Sequence, residues 1–118
     1  MLPAYPVRSF IYEACVESLA DALDAEQRGA HRIELCSALD QDGLTPSRDL
    51  IGECRRRLSI PIMVMIRPRG GDFVYSDDEV AQMADKIAFC MRSGVAGVVF
   101  GLLTPDGAID GKNTERLV

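Results

Sequence analysis

Histidine, long hydrophobic runs and excess basic charge are scarce in this sequence, and each scarcity argues against a class of function. The longest nearly uninterrupted apolar stretch, residues 94–103, has ten residues, whereas a membrane-spanning helix needs roughly 20. The 13 Lys and Arg residues are outnumbered by 18 Asp and Glu residues, and the net charge of −5 disfavours nucleic acid as a partner. The single His31 precedes a predicted strand, and no Ser/His/Asp or Cys/His nucleophilic arrangement can be built around it.

An export signal is also missing from the opening of the sequence. Residues 1–10 contain two prolines and one arginine, but no apolar core of the kind that a secretory signal carries. We therefore expect a cytoplasmic protein without a membrane partner, in which the four cysteines are thiols rather than disulfides.

What the sequence does contain is a short apolar run followed by a helical segment, repeated four times within 118 residues. This alternation is typical of parallel strands joined by helices and predicts an α/β fold. The predicted strands are residues 9–15, 32–36, 62–66 and 96–100.

Capping signals divide the strands from the helices. Gly29 ends a helix predicted over residues 17–28, and Gly94 ends one whose apolar residues recur with helical period. Ser76 and Glu79 have the spacing of a capping box at the start of that later helix.

For the helix between them, the sequence predicts Thr45 as the N-cap and Pro46 as the first helical residue. Its apolar stripe is Leu50, Ile51, Cys54 and Leu58.

The four βα units indicate the N-terminal half of a TIM (β/α)₈ barrel, because that fold closes with eight such units. Residues 114–118 read as the first turn of a further helix, which is too short to be stable without more chain or a neighbour. We therefore expect residues 1–118 to be a single partial barrel domain, truncated at its C-terminus or covering its open sheet edges by self-association.

Alternation along the strands predicts which side chains share the face turned away from the helices. This inward set is Ser9, Ile11, Glu13, Cys15, Arg32, Glu34, Cys36, Met63, Met65 and Arg67. Its balanced charges suit either a structural salt-bridge network or a ligand site in which Glu13 or Glu34 is a candidate catalytic base.

Cys15 and Cys36 end neighbouring strands. Parallel strands run about 4.8 Å apart, and two metal–thiolate bonds of about 2.3 Å span a similar distance, so one soft Cu(I) ion could bridge the pair. The alternative is that both are small apolar fillers. Cys54 and Cys90 lie on helical apolar stripes, where packing is the favoured role.

The segment 67–73 has the composition of an anion cradle. Arg67 and Arg69 can fork onto a phosphate or carboxylate, and Gly70, Gly71 and Asp72 follow them. The same segment could equally be a sharp strand-to-helix connection.

Four motifs in order resemble the copper homeostasis protein CutC family. They are Glu13-Ala14-Cys15, the run 29–36 (GAHRIELC), the run 43–47 (GLTPS) and the run 66–73 (IRPRGGDF) with Tyr75-Ser76. The resemblance implies a (β/α)₈ barrel, a cytoplasmic setting, a homo-oligomer and Cu(I) handling, with Cys15 and Cys36 at the positions proposed as copper ligands.

The sequence departs from the family pattern in two respects. Position 31 is His where the family usually has Asp, and the family's later Thr-Phe-His-Arg segment and remaining strands have no counterpart here. Three functions remain open: a cytoplasmic Cu(I)-binding protein, a barrel enzyme acting on a small anionic metabolite, or a truncated module with a scaffold role only.

Overall fold

The computed structural model describes residues 10–118 and places four short parallel strands in one sheet. The strand order β1-β2-β3-β4 follows the sequence, as it does in a barrel wall. The strands are β1 (Glu13–Val16), β2 (Arg32–Leu35), β3 (Ile62–Met65) and β4 (Gly97–Val99), and the helices are α1 (Leu19–Gln27), α2 (Arg48–Arg57), α3 (Asp77–Ser93) and α4 (Gly111–Leu117), with a 3₁₀ turn at Leu39–Gln41.

Two of the predicted helix ends are confirmed. Ser76 accepts from the Glu79 amide while the Glu79 side chain accepts from the Ser76 amide, which is the complete capping box of α3. Gly94 ends α3 with a φ of +79°, a left-handed conformation that glycine adopts without steric cost.

The predicted cap of α2 is wrong. The helix begins at Arg48, and Ser47 is its N-cap, accepting a hydrogen bond from the Leu50 amide at 3.1 Å. Thr45 lies two residues earlier, where its Oγ1 accepts from the Arg67 amide at 2.8 Å. Thr45 joins the loop after β2 to the loop after β3 instead of capping α2. Pro46 therefore precedes the helix.

Several element bounds also differ from the predictions. β1 begins at Glu13, four residues later than predicted, while Ser9 lies outside the described residues. β4 contains only Gly97–Val99, and α4 begins at Gly111, where Asp110 caps it, rather than at residue 114.

The two faces of the sheet differ in burial as strand alternation predicted. Residues of one parity pack against the helices and form the core, among them Ile33, Leu35 and Val64, each with 0% exposure. Glu34, Met63 and Met65 have the opposite parity and are only partly buried. The face of the sheet that bears the predicted site is therefore the one without helices.

None of the helices within residues 10–118 combines the length and the apolar content needed to cross a bilayer.

Candidate functional site

The thiols of Cys15 and Cys36 meet on the helix-free face of the sheet. Their Sγ atoms lie 3.7 Å apart, although 21 residues separate them in the sequence. The parallel register pairs Cys15 with Glu34, which places Cys36 two residues further along the neighbouring strand on the same face. Cys15 is exposed, whereas Cys36 is 1% exposed.

Glu34 completes a three-membered cluster with these cysteines. Its Oε1 lies 3.8 Å from the Cys36 Sγ, and the candidate ligand atoms of Cys15, Glu34 and Cys36 all lie within 4.8 Å of one another. Strand alternation predicted Glu34 on the same face as both cysteines, because residues two apart on a strand share a face. The sequence suggested a base, and not a metal ligand, as its role.

Burial and neighbouring charge raise the pKa values of Glu34 and Cys36. Desolvation is the main cause that raises the pKa of Glu34, and Glu13 beside it adds to the effect, while Arg32 opposes it. Desolvation also leads the causes that raise the pKa of Cys36 to about 12, with Cys15 and Glu34 contributing.

Glu13 and Arg32 form an ion pair beside the cluster. The Arg32 Nε donates to Glu13 Oε2 at 2.5 Å, between two residues that are direct partners in the register of β1 and β2. Arg32 also opposes the rise in the pKa of Glu34, so this ion pair and the thiol cluster occupy neighbouring parts of one face.

Met63, a methionine of the inward face, packs against the neighbouring strand β4. A Cβ built on Gly97 would lie 2.8 Å from the Met63 Cε and 3.2 Å from its Sδ, so the Met63 side chain packs over Gly97 of β4. β4 is the strand furthest from Cys15 in the sheet. This position favours packing as the role of Met63.

Arg67 is buried in the loop that follows β3. Its Nη1 donates to the Gln41 carbonyl at 2.8 Å, and its Nη2 donates to the Gly71 carbonyl at 2.9 Å. The guanidinium also lies 4.9 Å from the centre of the Phe73 ring. Its Nε is buried without a hydrogen-bond partner among the described residues.

Arg69 makes contacts of its own within the same loop. Its Nε donates to Glu79 at 2.6 Å, its Nη2 donates to the Val74 carbonyl at 2.7 Å, and Asp72 lies 3.2 Å away. Gly71 has a φ of +90°, which lets the loop turn beneath these arginines. Most donors that an anion would use are thus already paired inside the protein.

The remaining candidate residues lie away from this cluster. Cys54 and Cys90 are both 0% exposed in the helical core, which confirms packing as their role. His31 accepts a hydrogen bond from the Tyr12 amide at 2.8 Å and stacks on the Tyr12 ring, at the start of the strands.

Comparison with known proteins identifies the family of this chain. A family model described as the CutC family matches residues 10–118. The chain belongs to the CutC family. It is 50% identical over 101 residues to the human copper homeostasis protein cutC homolog, and 47% identical over 110 residues to a CutC family protein of Vibrio vulnificus.

The match covers most of this CutC chain but less than half of its relatives. The aligned residues make up 86% of this chain and 37% of the human protein, and 93% of this chain and 44% of the Vibrio protein. The chain therefore spans about two fifths of the length of these curated relatives.

A solved CutC structure has the same arrangement of strands and helices. The Streptococcus agalactiae CutC protein superposes with a TM-score of 0.86 at 37% identity, covering 92% of this chain and 54% of that one. A thiamine phosphate pyrophosphorylase from Pyrococcus furiosus, 24% identical with a TM-score of 0.51, shares the fold alone. The predicted fold class is confirmed: this CutC chain has the fold of part of a TIM barrel.

Proposed function

We propose that this chain acts in copper homeostasis in the cytoplasm by binding Cu(I) through Cys15 and Cys36. The observation that carries the proposal is the 3.7 Å between their Sγ atoms. Two metal–sulfur bonds of about 2.3 Å reach further than this separation, so one ion can contact both sulfurs without movement of the backbone. Thiolates are also the ligands that Cu(I) prefers.

The position of the pair supports binding and exchange of an ion. Cys15 is exposed and gives a metal access from solvent, while Cys36 is 1% exposed and fixes one side of the site. Both residues lie at the carboxyl ends of neighbouring parallel strands, the end at which barrel proteins place their functional residues.

Anaerobic Cu(I) titration against a chromogenic Cu(I) chelator tests the proposal. We expect one tight site per chain, lost in the Cys15→Ser, Cys36→Ser double variant because no thiolate pair remains. Cys54→Ser is the matched control, since its thiol is buried in the helical core and its loss should leave the stoichiometry unchanged. A double variant that folds and still binds one equivalent would overturn the proposal.

A second function is supported by the surroundings of Arg67. A cavity of about 480 Å³ lies beside it, lined also by Lys86, Gln82 and Ser47. Lys86 and the buried Arg67 put positive charge at this cavity, which suits a phosphate or carboxylate. Neither Glu13 nor Glu34 lines it, so the base of an enzyme acting there would be another group.

Thermal denaturation with inorganic phosphate and with a panel of small carboxylates tests this alternative. A ligand bound by the folded chain raises its melting temperature. We expect the rise to disappear in Lys86→Met if the cavity holds the anion, whereas an unchanged melting temperature across the panel would remove the support for an enzyme.

A further inference from the structure

Glu34 is a half-buried carboxyl group next to two thiols. Among residues 10–118 it forms no ion pair, since Arg32 is paired with Glu13. All three side chains can release a proton to become metal ligands, and their candidate ligand atoms lie within 4.8 Å of one another. The cluster Cys15, Glu34 and Cys36 thus has the composition of a cation site.

We propose that Cys15, Glu34 and Cys36 form a three-ligand site for a divalent ion such as Zn²⁺, in which Glu34 is a ligand that Cu(I) does not need. The proposal rests on the proposed function for the thiolate pair and adds a second class of metal to that site.

The spacing of the sulfurs suits a tetrahedral ion. Two bonds of about 2.3 Å that span 3.7 Å enclose an angle of about 107°, close to the roughly 109° of a tetrahedron. A linear two-coordinate ion would need the sulfurs about 4.6 Å apart with the same bond length. The side chains therefore already have the separation that zinc requires.

The third ligand decides between the two metals. Glu34 Oε1 lies 3.8 Å from the Cys36 Sγ, so a small shift of the carboxylate brings it onto an ion held by both sulfurs. Carboxylate oxygen is an ordinary zinc ligand but a poor one for the soft Cu(I) ion. Three protein ligands leave the fourth position of a tetrahedral ion open to water or to another molecule.

Metal titrations of Glu34→Gln separate this site from the Cu(I) site. With Zn²⁺ and a competing chromogenic chelator, we expect the affinity to fall about tenfold or more in Glu34→Gln, because a charged ligand is lost. The Cu(I) affinity should change by less than about threefold, since both thiolates remain. Glu53→Gln, an exposed position on α2, is the matched control and should change neither affinity.

X-ray absorption of the zinc-loaded wild-type chain provides a test that needs no variant. Two sulfur ligands and one or two oxygen ligands per zinc support the proposal. Four sulfurs, or no sulfur, would overturn it.

The outcomes distinguish this inference from the proposed function. Equal loss of Zn²⁺ and Cu(I) affinity in Glu34→Gln, or no loss of either, overturns the three-ligand divalent site. Cu(I) binding by the thiolate pair is then tested separately by the Cys15→Ser, Cys36→Ser double variant. Loss of Zn²⁺ binding alone supports the site even if the wild-type chain does not retain Cu(I).

Discussion

At the residue scale, Cys36 shows how the environment of one thiol links the site to stability. The side chain is 1% exposed and is close to Cys15 and Glu34. Burial favours the neutral thiol over the thiolate and, with these neighbours, raises the pKa of Cys36 to about 12. A metal must therefore displace a tightly held proton, so binding through Cys36 strengthens as the pH rises.

The same raised pKa predicts a loss of stability in alkaline solution. Above pH of about 8.5 the unfolded chain releases the Cys36 proton, whereas the folded chain keeps it until the pH approaches about 12. The contribution of Cys36 to the free energy of unfolding is complete below a pH of about 8.5. It declines as the pH rises from there towards about 12. The free energy of unfolding should fall by up to about 1.4 kcal/mol per pH unit from this thiol.

Urea denaturation of the wild-type chain and of Cys36→Ser at pH 8 and pH 10.5 measures the effect. The wild-type chain should lose more stability across this interval, because serine does not titrate there. Between pH 7 and pH 8 the two chains should respond alike, which is the internal control. Parallel curves up to pH 10.5 would contradict the assigned proton.

The role of Arg67 also depends on the groups that surround it in the fold. From the sequence it could bind an anion, but its position next to the loops after β2 and β3 gives two of its nitrogens backbone carbonyls of Gln41 and Gly71 as partners. Such charge-assisted hydrogen bonds stabilise the loop ends of a barrel wall. The residue type predicted the chemistry, and the contacts determine where it is used.

At the scale of the element, the start of α2 shows competition between two hydroxyl side chains. Ser47 caps the helix through its bond with the Leu50 amide, while Thr45 binds both backbone groups of Arg67. A sequence scan cannot separate them because both residues favour caps. The partner decides, and the partner of Thr45 is 22 residues away.

Substitution of each residue should therefore have a different local effect. Ser47→Ala should lower the free energy of unfolding by about 1 kcal/mol through loss of the cap, and it should accelerate hydrogen exchange at the Leu50 amide. Thr45→Val should also destabilise the chain, by about 1 to 3 kcal/mol for two lost hydrogen bonds, yet leave exchange at Leu50 unchanged. Faster exchange at the Leu50 amide in Thr45→Val but not in Ser47→Ala would show that Thr45 is the cap.

At the scale of the whole molecule, the sheet has two outer strands. Within residues 10–118, β1 pairs only with β2 and β4 pairs only with β3. Ile11 and Tyr12, just before β1, are 54% and 60% exposed. Unpaired strand edges with apolar neighbours favour association with another chain, so we expect the chain to self-associate.

Sedimentation velocity over a range of concentrations measures this association. Species heavier than the 12.9 kDa chain should accumulate as the concentration rises. Ile11→Lys should weaken the association, because a charge at the edge opposes pairing. Met91→Lys, on a residue of α3 that is 71% exposed, is the control and should have little effect. A monomer at every concentration would contradict the expectation.

The sequence by itself determined the features that depend on neighbours along the chain. The alternation of apolar runs with helical segments predicted the order of strands and helices, and Gly94 with the box at Ser76 and Glu79 predicted the ends of α3. Strand alternation placed Cys15 and Cys36 on one face. Each of these signals is local, because the capping hydrogen bonds and the alternation of side chains involve residues only a few positions apart.

Only the tertiary structure decided which distant groups become partners. The register of β1 against β2 brought Glu34 to the two thiols, and the loops around Arg67 took the donors that the sequence offered to an anion. The contacts of Cys15 with Cys36 and of Arg67 with Gln41 join residues 21 and 26 positions apart, and their formation depends on how the strands and helices pack. Residue types and spacing restricted the chemistry, and packing selected the partners.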